Sequence, residues 1–221
     1  MKPKTKNLLV AFIFVAAIVG GILFVVLAGK SSSSGGGGKG NGGGGKPIHH
    51  NSPPSGAEAQ KFLNIHNYYR QRSGLSPLSW SEELANAAQG WSDYLVTENC
   101  SFHHPGTSQN CKNYLGTASC HEGGWGQNLT KSWGSDTGIC KAVQGWYAEC
   151  PQFNGSFSES AGHYSQLMAP STTDVGCGIG TCQSGASIYT CTYNPPGNVT
   201  GEFGDIPTKC MPANCPSNCS C

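Results

Sequence analysis

The sequence predicts a disulfide-stapled α+β domain of about 165 residues, enough for one sizeable core. Stretches with helical spacing of apolar residues alternate with short stretches of period two. All twelve cysteines lie from Cys100 onward, an even number that points to an oxidising compartment. No internal repeat divides the region after Ala57.

The elements follow in order. Phe62, Ile65, His66 and Tyr69 share one helical face, and Gly74 with Pro77 closes that helix. His66 is therefore expected to be a buried, hydrogen-bonded core histidine. A second helix opens at Ser79 or Ser81, each a suitable cap, and Leu84, Ala88, Trp91 and Leu95 line its apolar stripe. An irregular region from Cys100 carries His103, His104 and His121. A third helical pattern spans Cys140 to Glu149, with Ala142, Val143, Trp146 and Tyr147 on the apolar side. Glu149 stands at its C-terminal end, where the helix dipole disfavours a carboxylate, so a local partner such as a histidine or a metal is expected. Next, Tyr164, Leu167 and Met168 form a helical turn that Pro170 stops. Val175, Cys177 and Ile179 alternate with glycines as a strand, and Ser187–Asn194 supplies another.

The two ends differ from this globule. Residues 1–7 are a basic tail, and Leu8–Ala28 is an uncharged apolar run of 21 residues. As a helix it would span about 31 Å, roughly the hydrocarbon thickness of a bilayer. It reads either as a retained transmembrane signal anchor, with type II topology, or as a signal peptide cleaved before Gly29. Residues 29–56 form a Gly/Ser/Pro linker with a reach of about 30 Å. His49 and His50 within it are a polar pair with no implied role. The last residues, 208–221, are a cysteine-rich tail too short for a core of its own.

From residue 57 onward the chain has seven basic and twelve acidic side chains, a formal charge of −5. That balance argues against nucleic acid as a partner. Asn128, Asn154 and Asn198 begin N-x-S/T sequons, consistent with a secretory route. Asn99 and Asn218 also do, but with cysteine in the middle position.

The ordered motifs HNYYR (His66–Arg70), PLSWSEELANAAQGW (Pro77–Trp91), GQNL (Gly126–Leu129), GHYSQLM (Gly162–Met168) and IYTCTYNPPGNV (Ile188–Val199) resemble those of the CAP superfamily. This group holds the cysteine-rich secretory, antigen 5 and pathogenesis-related class 1 proteins. The resemblance covers about Ala57 to Asp205 and sets an SCP-type domain at residues 57–207. Within it, FSESAGHY and GNVTGEF look most similar to the fungal, sterol-binding branch. Two departures stand out: Ala169 where relatives carry tryptophan, and an insertion between His104 and Trp125 with Cys111 and Cys120.

The resemblance implies an α-β-α sandwich with a small antiparallel sheet between helices. It also implies Cys100–Cys182 and Cys177–Cys191 bridges. Cys111–Cys120 and Cys140–Cys150 are added as local pairings, with the tail cysteines joined among themselves. It further implies a cleft of His104, Gln127, Glu149 and His163 able to hold zinc or another divalent metal. Gln127 is an amide and cannot act as a general base, leaving Glu149 as the cleft's one carboxylate and arguing against a hydrolase. The loop before His163 resembles the sterol-binding loop of the fungal branch, so Trp146, Tyr147, Phe153 and Phe157 are the expected lipid-binding rings. The expected function is an extracellular or cell-surface, non-enzymatic binder of sterol or fatty-acid-like lipid, joined to a membrane through Leu8–Ala28 if that segment is uncleaved. A metal-dependent protease using Glu149 as base, and a defence- or host-directed interaction module, are the alternatives.

Overall fold

The structure, a computed structural model, describes residues 51–105 and 124–213. Their elements are α1 (Gly56–Arg72), β1 (Ser79–Trp80), α2 (Glu82–Thr97), β2 (Gly126–Ser132), α3 (Ile139–Tyr147), α4 (Gly162–Leu167), β3 (Asp174–Thr181) and β4 (Ser187–Asn194). Leu8–Ala28, the linker through residue 50, Cys111, Cys120 and residues 214–221 lie outside the described residues. Among the described residues no helix is long and apolar enough to cross a membrane.

The sheet runs β1-β3-β4-β2. Two of its three pairings are antiparallel, β2 with β4 and β3 with β4. The short β1 adds a parallel pair to β3, so the sheet is mixed rather than wholly antiparallel. The period-two alternation of β3 explains the sandwich. Val175 and Cys177 face a core built with α1, α3 and α4, which contribute Phe62, Tyr69, Val143, Trp146, Tyr164 and Leu167. Gly176 and Gly178 face α2 instead. A Cβ at Gly176 would lie 2.1 Å from the Ala85 nitrogen, and one at Gly178 would lie 2.3 Å from the Gln89 nitrogen. Only glycine lets the α2 backbone rest directly on the strand. Gln89 fastens this contact, donating to the Ile179 carbonyl at 2.8 Å and accepting from its N–H at 3.0 Å. Ser81, rather than Ser79, caps α2, its hydroxyl accepting from the Leu84 N–H.

The motif residues of α1 are structural. Asn67 brackets Leu78, donating to its carbonyl at 3.0 Å and accepting from its N–H at 2.6 Å. Arg70 is buried and donates to the carbonyls of Ser76, Leu167, Ala169 and Thr172 at 2.9–3.1 Å. Its guanidinium thus gathers the C-terminal end of α4 and the turn beyond it. Burial pulls its pKa down to about 10, which leaves it charged at neutral pH.

Cys177 and Cys191 stand opposite each other in the β3–β4 register and are joined. Cys100 is joined to Cys182. The expected Cys140–Cys150 pair is corrected. Cys150 is bonded to Cys210, and Cys140 is disulfide-bonded elsewhere. The physical reason is that Cys210 does not belong to an isolated appendage. Tyr164 donates its hydroxyl to the Pro207 carbonyl at 2.6 Å, and Tyr147 accepts from the Met211 N–H at 3.0 Å. Tyr69 donates to the Ala213 carbonyl. Residues 207–213 are therefore strapped across the domain, which carries Cys210 to Cys150. The linker's last residues are also held, with Asn51 donating through its N–H and its side-chain amide to Asp93 at 2.9 Å each.

Candidate functional site

Glu149 lies two residues past the end of α3 and beside the start of α4. Its Oε2 accepts from the backbone N–H groups of His163 at 2.9 Å and Tyr164 at 3.2 Å. Its Oε1 accepts from His163 Nδ1 at 2.6 Å. The unfavourable place at the end of α3 is thus a favourable one at the start of α4, where orphan N–H groups need an acceptor. The expected local partner of Glu149 is a histidine together with two amides.

His163 is fixed on its other sides as well. The Trp146 ring stacks near it, centroids 6.3 Å apart and 25° between planes. Asn128 on β2 donates to the His163 carbonyl at 3.0 Å. The same amide group donates to the Tyr193 hydroxyl at 3.2 Å, and that hydroxyl donates to His66 Nε2 at 2.9 Å. His66 Nδ1 in turn donates to the Phe62 carbonyl at 2.7 Å. His66 is the core histidine expected from its place on α1, and burial pulls its pKa down to about 4.

The second imidazole of the cleft, His104, lies with its ring centroid 6.4 Å from that of His163. Its Nδ1 donates to Gln127 Oε1 at 2.8 Å. A carboxylate and an amide oxygen only accept, so both histidines carry hydrogen on Nδ1. In the neutral tautomer the ring lone pair is then on Nε2 in each case.

The structure brings together the four residues of the expected ligand set as two hydrogen-bonded pairs. Glu149 and Gln127 occupy the Nδ1 edges of the two rings, away from the Nε2 lone pairs that would meet an ion. In these positions they would orient the two rings if an ion were bound, the arrangement that metal-binding histidines commonly use. The donor set that fits a divalent ion is two neutral imidazoles, His104 and His163, with further positions left to water. A separate group, His66 with Cys177 and Cys191, brings three ligand-type atoms within 4.8 Å of one another. Its two sulfurs are bonded to each other, so it offers no thiolate.

Three of the four rings expected to bind lipid are buried. Trp146, Tyr147 and Phe153 are core residues, exposed by 1%, 0% and 6%. Tyr147 stacks on Tyr69 with centroids 3.9 Å apart, and Phe153 packs against Tyr164 at 5.6 Å. Helical periodicity could not have placed Phe153, because it sits just past a short turn at Cys150–Gln152 that points it inward. Phe157 alone of the four is half-exposed, and its ring pairs with that of Phe203 at 6.2 Å. It also packs over Gly162, next to His163, where a Cβ would meet it at 3.7 Å.

The sequons separate in the same way. Asn128 is 1% exposed and uses its amide nitrogen in the network above. Asn198 donates to the Gly162 carbonyl at 2.9 Å and accepts from Ser165 at 2.5 Å. Asn154 is exposed.

The fold and cleft define a disulfide-bonded α-β-α domain with paired, hydrogen-bonded histidines. Its residues 63–193 match the family model for CAP, the cysteine-rich secretory protein family, and the chain belongs to that family. It is 31% identical over 148 residues to pathogenesis-related leaf protein 4 of Solanum lycopersicum, covering 65% of this chain and 80% of the relative. It is 36% identical over 149 residues to protein PRY2 of Saccharomyces cerevisiae, covering 65% of this chain but 39% of that longer relative. Among solved structures, that of NaASP2 with Zn2+ superposes with a TM-score of 0.52 at 22% identity, over 78% of this chain and 98% of the other. That likeness establishes the shared fold.

Proposed function

We propose that the protein is a non-enzymatic, extracytoplasmic binder of sterol or a related lipid. The observation that carries the binding reading is the state of Glu149. All three of its hydrogen bonds come from His163 and Tyr164, behind the imidazole rather than at the Nε2 edge where a reacting water would sit. The other cleft position that could hold a base is the amide of Gln127. Among the described residues a protease therefore has no carboxylate placed to activate water, although two imidazoles remain to hold an ion.

The lipid assignment rests on the resemblance of the loop before His163 to the fungal sterol-binding branch, and PRY2 is a fungal relative. What supports it physically is the Phe157–Phe203 pair, two half-buried rings of which Phe157 lies over Gly162, next to His163. Covering such rings with an apolar ligand is worth about 1.5–3 kcal/mol for each one fully buried. A divalent ion would be held by His104 and His163 through Nε2 and would supply a Lewis-acidic, water-bearing centre. Disulfides and the apolar run Leu8–Ala28 support delivery across a membrane, with that run as a retained anchor or a removed signal.

Titration of the purified protein with radiolabelled cholesterol tests this reading. Saturable binding that weakens about tenfold in Phe157→Ala, the equivalent of about 1.4 kcal/mol, supports it. No saturable binding of cholesterol or a fatty acid would overturn it.

A further inference from the structure

Five sequons are present in the sequence, and the structure distinguishes three of them, at Asn128, Asn154 and Asn198, by the state of the amide nitrogen, the atom that a glycan would occupy. Asn128 Nδ2 is buried in β2 and donates to both the His163 carbonyl and the Tyr193 hydroxyl. A sugar there would displace both contacts and could not be housed in the core. Asn198 Nδ2 donates to the Gly162 carbonyl, and its backbone adopts a φ of +59°. Both contacts of its side chain pin α4, the helix that begins with Gly162 and His163.

Asn154 differs on each count. It is exposed, and it follows Phe153, whose burial against Tyr164 fixes where the loop leaves the domain. Cys150–Cys210 fixes the same loop from its other side. Asn154 Oδ1 accepts from the Ser156 N–H at 3.2 Å and from the Ser156 hydroxyl at 2.7 Å. The carbonyl half of the amide and the sequon hydroxyl are therefore engaged with each other, while Nδ2 points to no protein acceptor among the described residues. Gly155 between them has a φ of +91°, a conformation that glycine accepts without strain.

We infer that Asn154 is the N-glycan acceptor of this domain, and that Asn128 and Asn198 are structural asparagines whose sequons are not used. The inference rests on the proposed delivery of the domain to an extracytoplasmic compartment. The transfer forms a bond between Asn154 Nδ2 and the anomeric carbon of an oligosaccharide carried on a polyprenyl diphosphate. That step releases the polyprenyl diphosphate, and the amide gives up one proton. The glycan then stands three residues from Phe157, flanking the ring pair assigned to lipid and leaving Gly162 and His163 clear.

The full chain is expressed in a eukaryotic secretory host, and its mass is measured before and after an endoglycosidase that removes N-glycans. The disulfides of the same sample are mapped after thiol alkylation. One endoglycosidase-sensitive glycan is expected in the wild type, lost entirely in Asn154→Gln and in Ser156→Ala and kept in Ser156→Thr. A glycan that persists in Asn154→Gln overturns the assignment. So does an unglycosylated wild type in which Cys177–Cys191 has formed. An unglycosylated wild type with free thiols at Cys177 and Cys191 overturns the extracytoplasmic reading and the assignment with it.

Discussion

Replacing Glu149 with alanine removes three hydrogen bonds to one ionised carboxylate. Each such bond is worth about 1.5–3 kcal/mol when its loss strands a buried donor. The two side chains are not fully buried, Glu149 being 21% exposed and His163 19%, so water recovers part of the loss. The low end of the range, discounted for that recovery, gives a destabilisation of about 3 kcal/mol. Chemical denaturation measures it as a lower midpoint at unchanged slope. A second readout is local: nitrogen chemical shifts of His163 report which ring nitrogen carries hydrogen. The Nδ1–H tautomer is expected to dominate in the wild type and to lose its dominance in Glu149→Ala, because the acceptor that selects it is gone. A loss of stability below about 1 kcal/mol, with an unchanged tautomer, would show that Glu149 does not position His163. The double-mutant cycle with His163→Ala then apportions the pair itself, apart from the two backbone contacts.

Two further predictions probe the core. His66 is buried and neutral, with its pKa lowered from 6.5 to about 4. The unfolded chain takes up that proton first, so stability should be constant above about pH 6.5 and fall as pH drops toward 4, by up to about 3 kcal/mol. In His66→Gln that acid-side slope should be missing from the stability–pH curve, and an unchanged slope would assign it to other groups. Gly178→Ala drives a Cβ to 2.3 Å from the backbone of α2, whereas Gly145, on the exposed side of α3, has nothing within 4 Å of its Cβ position. The first substitution should destabilise by about 2–4 kcal/mol or prevent folding, and the second should stabilise by about 0.5–1 kcal/mol. Equal effects on thermal unfolding would refute the proposed contact between β3 and α2.

Much of this fold is legible from periodicity. The stripes of α1 and α2, the turn stopped by Pro170 and the glycine alternation of β3 each follow from spacing that the folded chain uses directly. Less is legible where a residue's role is set by another segment. Phe153 looks like a surface ring because its burial depends on Tyr164, eleven residues on. Cys150 looks like a partner for nearby Cys140 because the tyrosine hydroxyls that strap down Cys210 are invisible in sequence. The cleft shows the same division. Family motifs name its four residues, but that Glu149 and Gln127 each hold an Nδ1 is a matter of packing and is not written in the motifs. Arg70 carries a signal that could have been read: a lone cation on the apolar side of a core helix needs buried acceptors, and four carbonyls supply them.

The proposed function requires a cleft that binds and does not hydrolyse. Cholesterol affinity and peptide hydrolysis, measured side by side on wild type and Gln127→Glu in the presence of zinc, test it most directly. Saturable cholesterol binding is expected in both proteins, with affinities that differ by less than about twofold and hydrolysis at the buffer rate. Zinc-dependent hydrolysis that appears or rises in Gln127→Glu, or in the wild type itself, would contradict it.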